Sequence, residues 1–226
     1  MKTTLNLQNS TLKLPELIYN GEPALALQED DLTRLYTYIR GRVAGRVLEF
    51  GCGYSTFVIA IALKENKEKY GKEYTKTPFI NCVVDTDEEW MNHVKAKLEE
   101  KGLAEKTMFT LSGCRVGIHD GQMCNYYDNI PNIIPDFMYI DGPDPAQIKG
   151  SVAGMDFKNC GWRQVMNADP LLMEPFFYPK AAILVDGRHG NARFLKTNFK
   201  RNWDFTESLF DGFTFMELVE SGELRK

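Results

Sequence analysis

The sequence is poor in the residues that staple small folds or hold metals. Its 226 residues include three histidines and five cysteines, Cys52, Cys82, Cys114, Cys124 and Cys160. An odd number of thiols, no two of them spaced as CxxC, signals neither a disulfide framework nor a thiolate zinc site, so reduced and mostly buried cysteines are expected. Long apolar runs are also missing. The longest, Phe57 to Leu63, spans seven residues, whereas a membrane-spanning helix needs about 20. The opening MKTTLNLQNS carries one lysine and no apolar segment of about 7–15 residues behind it, so no secretory signal is read. A cytoplasmic chain with no membrane partner is the expectation. Positive charge is not in excess: 27 Lys plus Arg face 31 Asp plus Glu, a net −4. The general attraction that draws proteins to a phosphate backbone is therefore absent, and nucleic acid is not an expected partner.

What is present is enough for a sizeable core, with 43% hydrophobic and 26% charged residues. Residues 1–28 contain Pro15 and Pro23 and read as an irregular N-terminal arm; residues 29–226 read as one domain. Leu32, Leu35, Tyr36 and Ile39 recur at helical spacing over Glu29 to Ile39. The compact run Arg46 to Phe50 predicts a strand that stops at Gly51-Cys52-Gly53, followed by a helix from about Ser55, a plausible N-cap, to Lys69. Strands are predicted at Phe79 to Asp85, Thr107 to Leu111, Asp136 to Asp141 and Lys180 to Asp186. Helices are predicted at Asp87 to Lys101, in part of Trp162 to Phe177, and at Asn191 to Phe199. Gly113 to Pro135 and residues 142–161 read as irregular. Trp203 to Leu209 and Phe213 to Val219, joined by Asp211-Gly212, read as a closing antiparallel hairpin.

This alternation implies an α/β fold: a Rossmann-like, doubly wound, mostly parallel seven-stranded sheet with a C-terminal antiparallel hairpin. Such sheets bind ligands at the carboxyl ends of their strands, where Glu49, Asp85, Asp141 and Asp186 fall, so an acidic cleft is expected. Gly51 and Gly53 permit a sharp turn, and the amides that open the next helix are free donors. A dinucleotide fingerprint needs GxGxxG and an acid about 20 residues on; here Thr56 takes the third place and Asp85 follows Gly53 by 32 residues. A bare strand-to-helix turn without ligand is the plain alternative.

Val47-Leu48-Glu49-Phe50-Gly51-Cys52-Gly53-Tyr54-Ser55-Thr56 resembles the first motif of the class I S-adenosylmethionine-dependent methyltransferases in its ExGxGxST form. Val83-Val84-Asp85 is similar to the family's second-strand acid, and Tyr139-Ile140-Asp141-Gly142 to its fourth-strand motif; the likeness covers about residues 29–219. The resemblance implies that Glu49, Gly51, Cys52 and Gly53 line the methionine end of the cofactor, that Ser55 and Thr56 flank it, that Asp85 clasps the ribose, and that Asp141 borders it. It further implies a divalent metal such as Mg²⁺, because Asp141 and Asp186 match two ligand positions of the metal-dependent catechol-type O-methyltransferases; Gly187 stands where those carry Asn, so a metal-free acidic rim is the other reading.

Methyl transfer needs alignment of the acceptor and, for an alcohol, one positioned base. His189, just after the fifth strand, is the best-placed histidine, with Asp141 orienting it or the acceptor. Arg188 reads as an ion-pair partner of Asp141 or Asp186, or as a holder of an anionic acceptor. Trp90 and Met91 read as core rather than as an adenine platform. Tyr126 and Tyr127 either line the acceptor pocket or cover the sheet. The reading is methyl transfer from S-adenosylmethionine to a small-molecule acceptor, at oxygen, since no Pro-Pro-Tyr follows the fourth strand; oligomeric state is left open. An NAD(P)-dependent oxidoreductase and a cofactor-binding protein without turnover are the rivals.

Overall fold

Apolar runs ended by an acid or a glycine build the centre of the structure, a computed structural model that describes residues 14–24, 29–161, 163–208 and 212–219. The strands are β1 (Arg46–Phe50), β2 (Ile80–Asp85), β3 (Thr107–Leu111), β4 (Phe137–Ile140), β5 (Ala182–Asp186), β6 (Trp203–Ser208) and β7 (Phe213–Leu218). They lie in the order β6-β7-β5-β4-β1-β2-β3. β5, β4, β1, β2 and β3 are mutually parallel, and β7 runs against both of its neighbours. The seven-stranded, mostly parallel sheet and the closing hairpin are as the sequence predicts. Leu209 to Asp211 of the hairpin turn, and Trp162, lie outside the described residues.

Strand alternation sorts the core onto two faces. Val47, Phe137, Tyr139, Ala182 and Leu184 pack with α1 (Glu29–Gly41), α2 (Tyr54–Tyr70) and α3 (Glu88–Glu100). Ser55 to Leu63 of α2 are all buried, so the longest apolar run of the sequence is a helix enclosed by the sheet and its neighbouring helices. Leu48, Phe50, Met138, Ile140, Ile183 and Val185 face the other way, against the short α4 (Asp169–Met173), α5 (His189–Asn198) and a small second sheet.

That second sheet corrects two expectations. Cys114–His119 and Gln122–Tyr127, read as irregular, form an antiparallel hairpin, and Ile148–Lys149 from the supposed loop 142–161 joins it in parallel. The turn is Asp120-Gly121, both at positive φ (45° and 76°), as a type I′ hairpin turn requires. The described part of the N-terminal arm, residues 14–24, is also less irregular than expected: Ile18–Tyr19 pairs with Glu22–Pro23, and Leu17 is fully buried. A further correction concerns α2, whose N-cap is Gly53 rather than Ser55.

α1 ends in a Schellman motif, with Ala44 N–H donating to Ile39 O (3.0 Å) and Val43 N–H to Arg40 O (3.2 Å). Val43 occupies the left-handed position, φ 53°, that glycine usually fills. Beside it, at the amino ends of the strands, is a recess of about 510 Å³ bordered by Arg42, Arg46, Asp136, Tyr178, Lys180 and Glu217.

Candidate functional site

β1 leads to β2 on one side while its other neighbour, β4, leads to β5, so the strand order reverses between β1 and β4 and their following loops separate. A cleft of about 1050 Å³ opens there, at the carboxyl ends of the strands.

Its floor is made by two glycines in main-chain contact. Gly51 has φ +89°, and a Cβ on it would lie 2.9 Å from Gly142 N; a Cβ on Gly142 would lie 2.7 Å from Gly51 N. Both segments are tethered, Gly51 N–H to Val84 O (2.9 Å) and Asp141 N–H to Phe50 O (3.0 Å). Gly53 differs. Its backbone is extended, φ 167°, and a Cβ there would meet nothing nearer than Trp90 Cζ2 at 3.9 Å. Chain packing does not call for glycine at 53, so the open space above it is available to a ligand that approaches bare backbone.

Asp85, almost fully buried, is held at both oxygens: Cys52 N–H donates to Oδ2 (2.7 Å) and Asp87 N–H to Oδ1 (2.9 Å). Each oxygen keeps a second lone pair for a donor in the cleft. Trp90 Nε1–H donates to Cys52 O (2.8 Å) and so fixes the loop from the other side. Ser55 borders the cleft, but its hydroxyl donates to Glu49 Oε1 (2.6 Å).

Glu49 is not on the cleft wall. Strand parity turns it toward α2, where it is fully buried and accepts from Ser55, from Thr56 Oγ1 (3.1 Å) and from Asn81 Nδ2 (2.6 Å). Burial pushes its carboxyl up to about 8, against the pull of those three donors. Thr56 is likewise fully buried, accepting from Gly53 N–H (3.0 Å) to close the helix cap. Both residues shape the glycine turn from behind, in place of the cofactor contact expected of them.

Asp141 opens onto the cleft with 55% of its side chain exposed. Desolvation in the recess and the nearby Asp186 push it up to about 6, while Arg188 pulls it down. Arg188 is engaged at its two terminal nitrogens, Nη2 donating to Asp141 O and Nη1 to Pro143 O (3.1 Å), while its Nε lies 3.6 Å from Asp141 Oδ1 without a hydrogen bond. Asp186 accepts from the Tyr139 hydroxyl (2.6 Å), and its carboxyl is raised chiefly by burial.

These partners bear on the expected metal pair. A guanidinium already faces Asp141, a phenol already faces Asp186, and Gly187 offers no side-chain oxygen. Among the described residues no group of three or more His, Cys, Asp or Glu comes together to hold an ion. The donor set does not fit a hard cation, which wants several converging oxygens.

His189 is also displaced from its expected role. It opens α5, is absent from the cleft wall, and its Nδ1 lies 3.6 Å from Glu207 Oε1 on β6. His119 meets the Tyr126 hydroxyl (3.2 Å), and His93 accepts from Ile18 N–H (3.4 Å). No histidine borders the cleft among the described residues.

The structure adds residues that sequence patterns did not assign. Tyr19 of the arm donates to Asp87 Oδ2 (2.7 Å) and meets Trp90 edge-on at 5.3 Å, forming an aromatic wall. The first turn of α1 brings Glu29, Asp30 and Asp31 to the rim, and Asp144 and Gln147 follow β4. Eight carboxylates (Glu29, Asp30, Asp31, Asp85, Asp87, Asp141, Asp144, Asp186) thus share the cleft with two guanidiniums, Arg34 and Arg188. A concave surface of one sign focuses its field, and this one attracts cations.

No family model matches the chain, and no curated protein sequence does. Solved structures do. The O-methyltransferase TomG from Streptomyces achromogenes, in complex with S-adenosylmethionine, is 17% identical, covers 88% of this chain and 84% of its own, and superposes with a TM-score of 0.51. An O-methyltransferase from Bacillus cereus, in complex with S-adenosylhomocysteine, is 14% identical over 87% and 84% of the two chains, with a TM-score of 0.54. The strand order, the reversal between β1 and β4 and these likenesses agree that the chain has the Rossmann-like, mostly parallel α/β fold of these two O-methyltransferase structures.

Proposed function

We propose that the cleft binds S-adenosylmethionine and that the protein transfers its methyl group to a small-molecule acceptor, at oxygen. One observation carries the reading: the open backbone at Cys52–Gly53 adjoins a carboxylate, Asp85, that is fixed by two amides yet retains lone pairs toward an acidic cleft. When bound, S-adenosylmethionine supplies an electrophilic methyl on a sulfonium. Asp85 is positioned to accept from ribose hydroxyls, and the Tyr19–Trp90 wall offers apolar surface beside it. The acidic wall favours the sulfonium and the ammonium of that donor, whereas the pyrophosphate of NAD would meet eight carboxylates. Thr56, where a dinucleotide fingerprint needs its third glycine, is buried against Glu49.

Removal of the acceptor proton falls to Asp141. Its side chain opens into the cleft, and its raised carboxyl brings it closer to neutrality, where a base works best. As the acceptor oxygen takes the methyl, its proton passes to Asp141, and Arg188 offsets the carboxylate's charge before the transfer. Asp141 thereby takes the role that the sequence offered to His189.

Thermal melting in S-adenosylmethionine, S-adenosylhomocysteine and NADH tests the cofactor. A ligand at about 100 times its dissociation constant stabilises by about 2.7 kcal/mol. The two sulfur nucleosides are expected to raise the melting temperature and NADH to leave it unchanged. Stabilisation by NADH alone would overturn the proposal.

A further inference from the structure

We infer that the recess at the amino ends of the strands is a second binding site, which takes the phosphoryl group of a small organic phosphate between Arg46 and Lys180. The inference stands apart from the methyl-transfer reading. The five residues of β1, at about 3.3 Å each, set the recess about 16 Å from the glycine turn of the cleft.

Strand direction gathers the walls of this recess. β1 opens at Arg46, and Tyr178 and Lys180 lead into β5, while β7 runs the other way and brings Glu217 to the same end. Arg42 arrives from the end of α1, and Asp136 stands just before β4. The hollow of about 510 Å³ falls within the range of small-molecule sites, about 300–1,000 Å³.

Arg42, Arg46 and Lys180 border it with two carboxylates, and they are not engaged equally. Arg42 is taken up: its Nη1 donates to Glu217 Oε2 (2.8 Å) and its Nη2 to Lys180 O. Asp136 is turned to the chain, accepting from the amides of Gly45 and Arg46. Arg46 differs. Its Nε is buried 3.7 Å from Asp136 Oδ2 without a hydrogen bond, and its terminal nitrogens make none among the described residues, although 34% of the side chain is exposed. A guanidinium carries five N–H donors, and a buried donor with no acceptor is costly. Lys180 Nζ likewise has neither ion pair nor hydrogen bond among the described residues. One planar fork and one ammonium are thus left without an acceptor on a single recess.

The backbone at Lys180 points the same way. Its φ of 69° lies in the left-handed region, where a Cβ is strained, and the residue is held there by its N–H to Leu218 O (2.9 Å) and by its carbonyl, which accepts from Arg42. The residue so held is a lysine whose ammonium makes no polar contact with the described fold. A carboxylate ligand would satisfy the fork alone; a phosphate monoester, with three terminal oxygens and nearly two charges, answers fork and ammonium together. The Tyr178 ring, half exposed and 5.6 Å from the Arg46 guanidinium, offers a face for the organic part. An extended polyanion is disfavoured by Asp136 and Glu217 on the same rim and by the net charge of −4.

The test is titration of the isotope-labelled full chain with phenyl phosphate, followed by nuclear magnetic resonance at low ionic strength. The amides of Gly45, Arg46 and Ala181 are expected to shift while those of Gly51, Gly53 and Gly142 stay in place. Arg46→Gln should weaken binding about tenfold or more, as loss of a charge-assisted contact does. Lys180→Gln, which keeps both backbone hydrogen bonds and so leaves the fold intact, should weaken it about threefold, the scale of one exposed charge. Lys200→Gln, at a surface lysine paired with Asp120, should leave it unchanged. Inorganic phosphate, which cannot use the Tyr178 ring, should bind about threefold or more weakly than the ester. Absence of binding, shifts confined to the glycine turn, full affinity in Lys180→Gln, or equal affinity for inorganic phosphate overturns the inference. None of these outcomes touches the cofactor reading.

Discussion

The two ends of the parallel sheet treat charge in opposite ways. At the amino end, Arg42 Nη1 lies 2.8 Å from Glu217 and Arg46 Nε lies 3.7 Å from Asp136, so each carboxylate bordering that recess has a cation. Asp136 also accepts from the backbone amides of Gly45 (3.2 Å) and Arg46 (3.0 Å), tying β4 to the start of β1. At the carboxyl end, six of the eight carboxylates bordering the cleft make no ion pair within 4 Å among the described residues. Charges that hold the fold are neutralised where they stand. Charges that border the cleft are instead held by backbone amides or a phenol, as at Asp85, Asp144 and Asp186.

The contrast can be broken most forcefully at the glycines. Gly51→Ala forces a side chain into φ +89° and into Gly142; left-handed strain and overlap together should cost about 2–4 kcal/mol in urea unfolding. Gly53→Ala has room, so it should cost less than about 1 kcal/mol in stability while weakening cofactor binding. A reversed order of the two would show that both glycines serve packing alone.

Removing charge sharpens the comparison next. Asp136→Ala strips acceptors from two amides and leaves Arg46 unpaired, so a loss of about 1–3 kcal/mol is expected. Asp186→Asn keeps an acceptor for the Tyr139 hydroxyl and should move stability by no more than about 0.5 kcal/mol. An equal loss at both ends would remove the distinction.

The pH profile is a finer probe. Burial holds Glu49 near 8, above its ordinary 4.5, so between those values the folded chain keeps a proton that the unfolded chain has lost. The stability this contributes is full below about pH 4.5 and is lost as pH rises through about 8. Asp169, pushed up to about 7 by burial, has the same sign. Denaturation midpoints should therefore fall from about pH 5 to about pH 8, and Glu49→Gln should flatten that slope. A slope unchanged in the variant would mean that Glu49 is ionised in the fold. The smallest effect belongs to the amino end, where Val43→Gly relieves a left-handed valine and should gain about 0.5–1 kcal/mol.

Much of this was legible because the parallel strands are short apolar runs closed by Asp85, Asp141 or Asp186, a pattern that burial on both faces produces. The hairpin at Cys114–Tyr127 escaped because Gly117, Gln122 and Asn125 dilute its alternation, although Asp120-Gly121 is a strong turn signal. Glu49 could have been placed by parity: it shares a face with Tyr139, its register partner, and that face packs on α2. The separation of His189 from the cleft follows from how α5 leaves β5, which no local pattern encodes. Tyr19 and the α1 acids reach the cleft from segments whose approach is set by tertiary packing alone.

The contact between Gly51 and Gly142 has a bearing on how this protein can diversify. Since each residue fills the only room the other leaves, the spacing of the two loop segments is dictated by peptide units and cannot be retuned one codon at a time. New preferences must arise from the surrounding walls, and a redesign library would be best spent on Tyr19, Glu29, Asp30 and Asp144, leaving that hinge of main chain as it is.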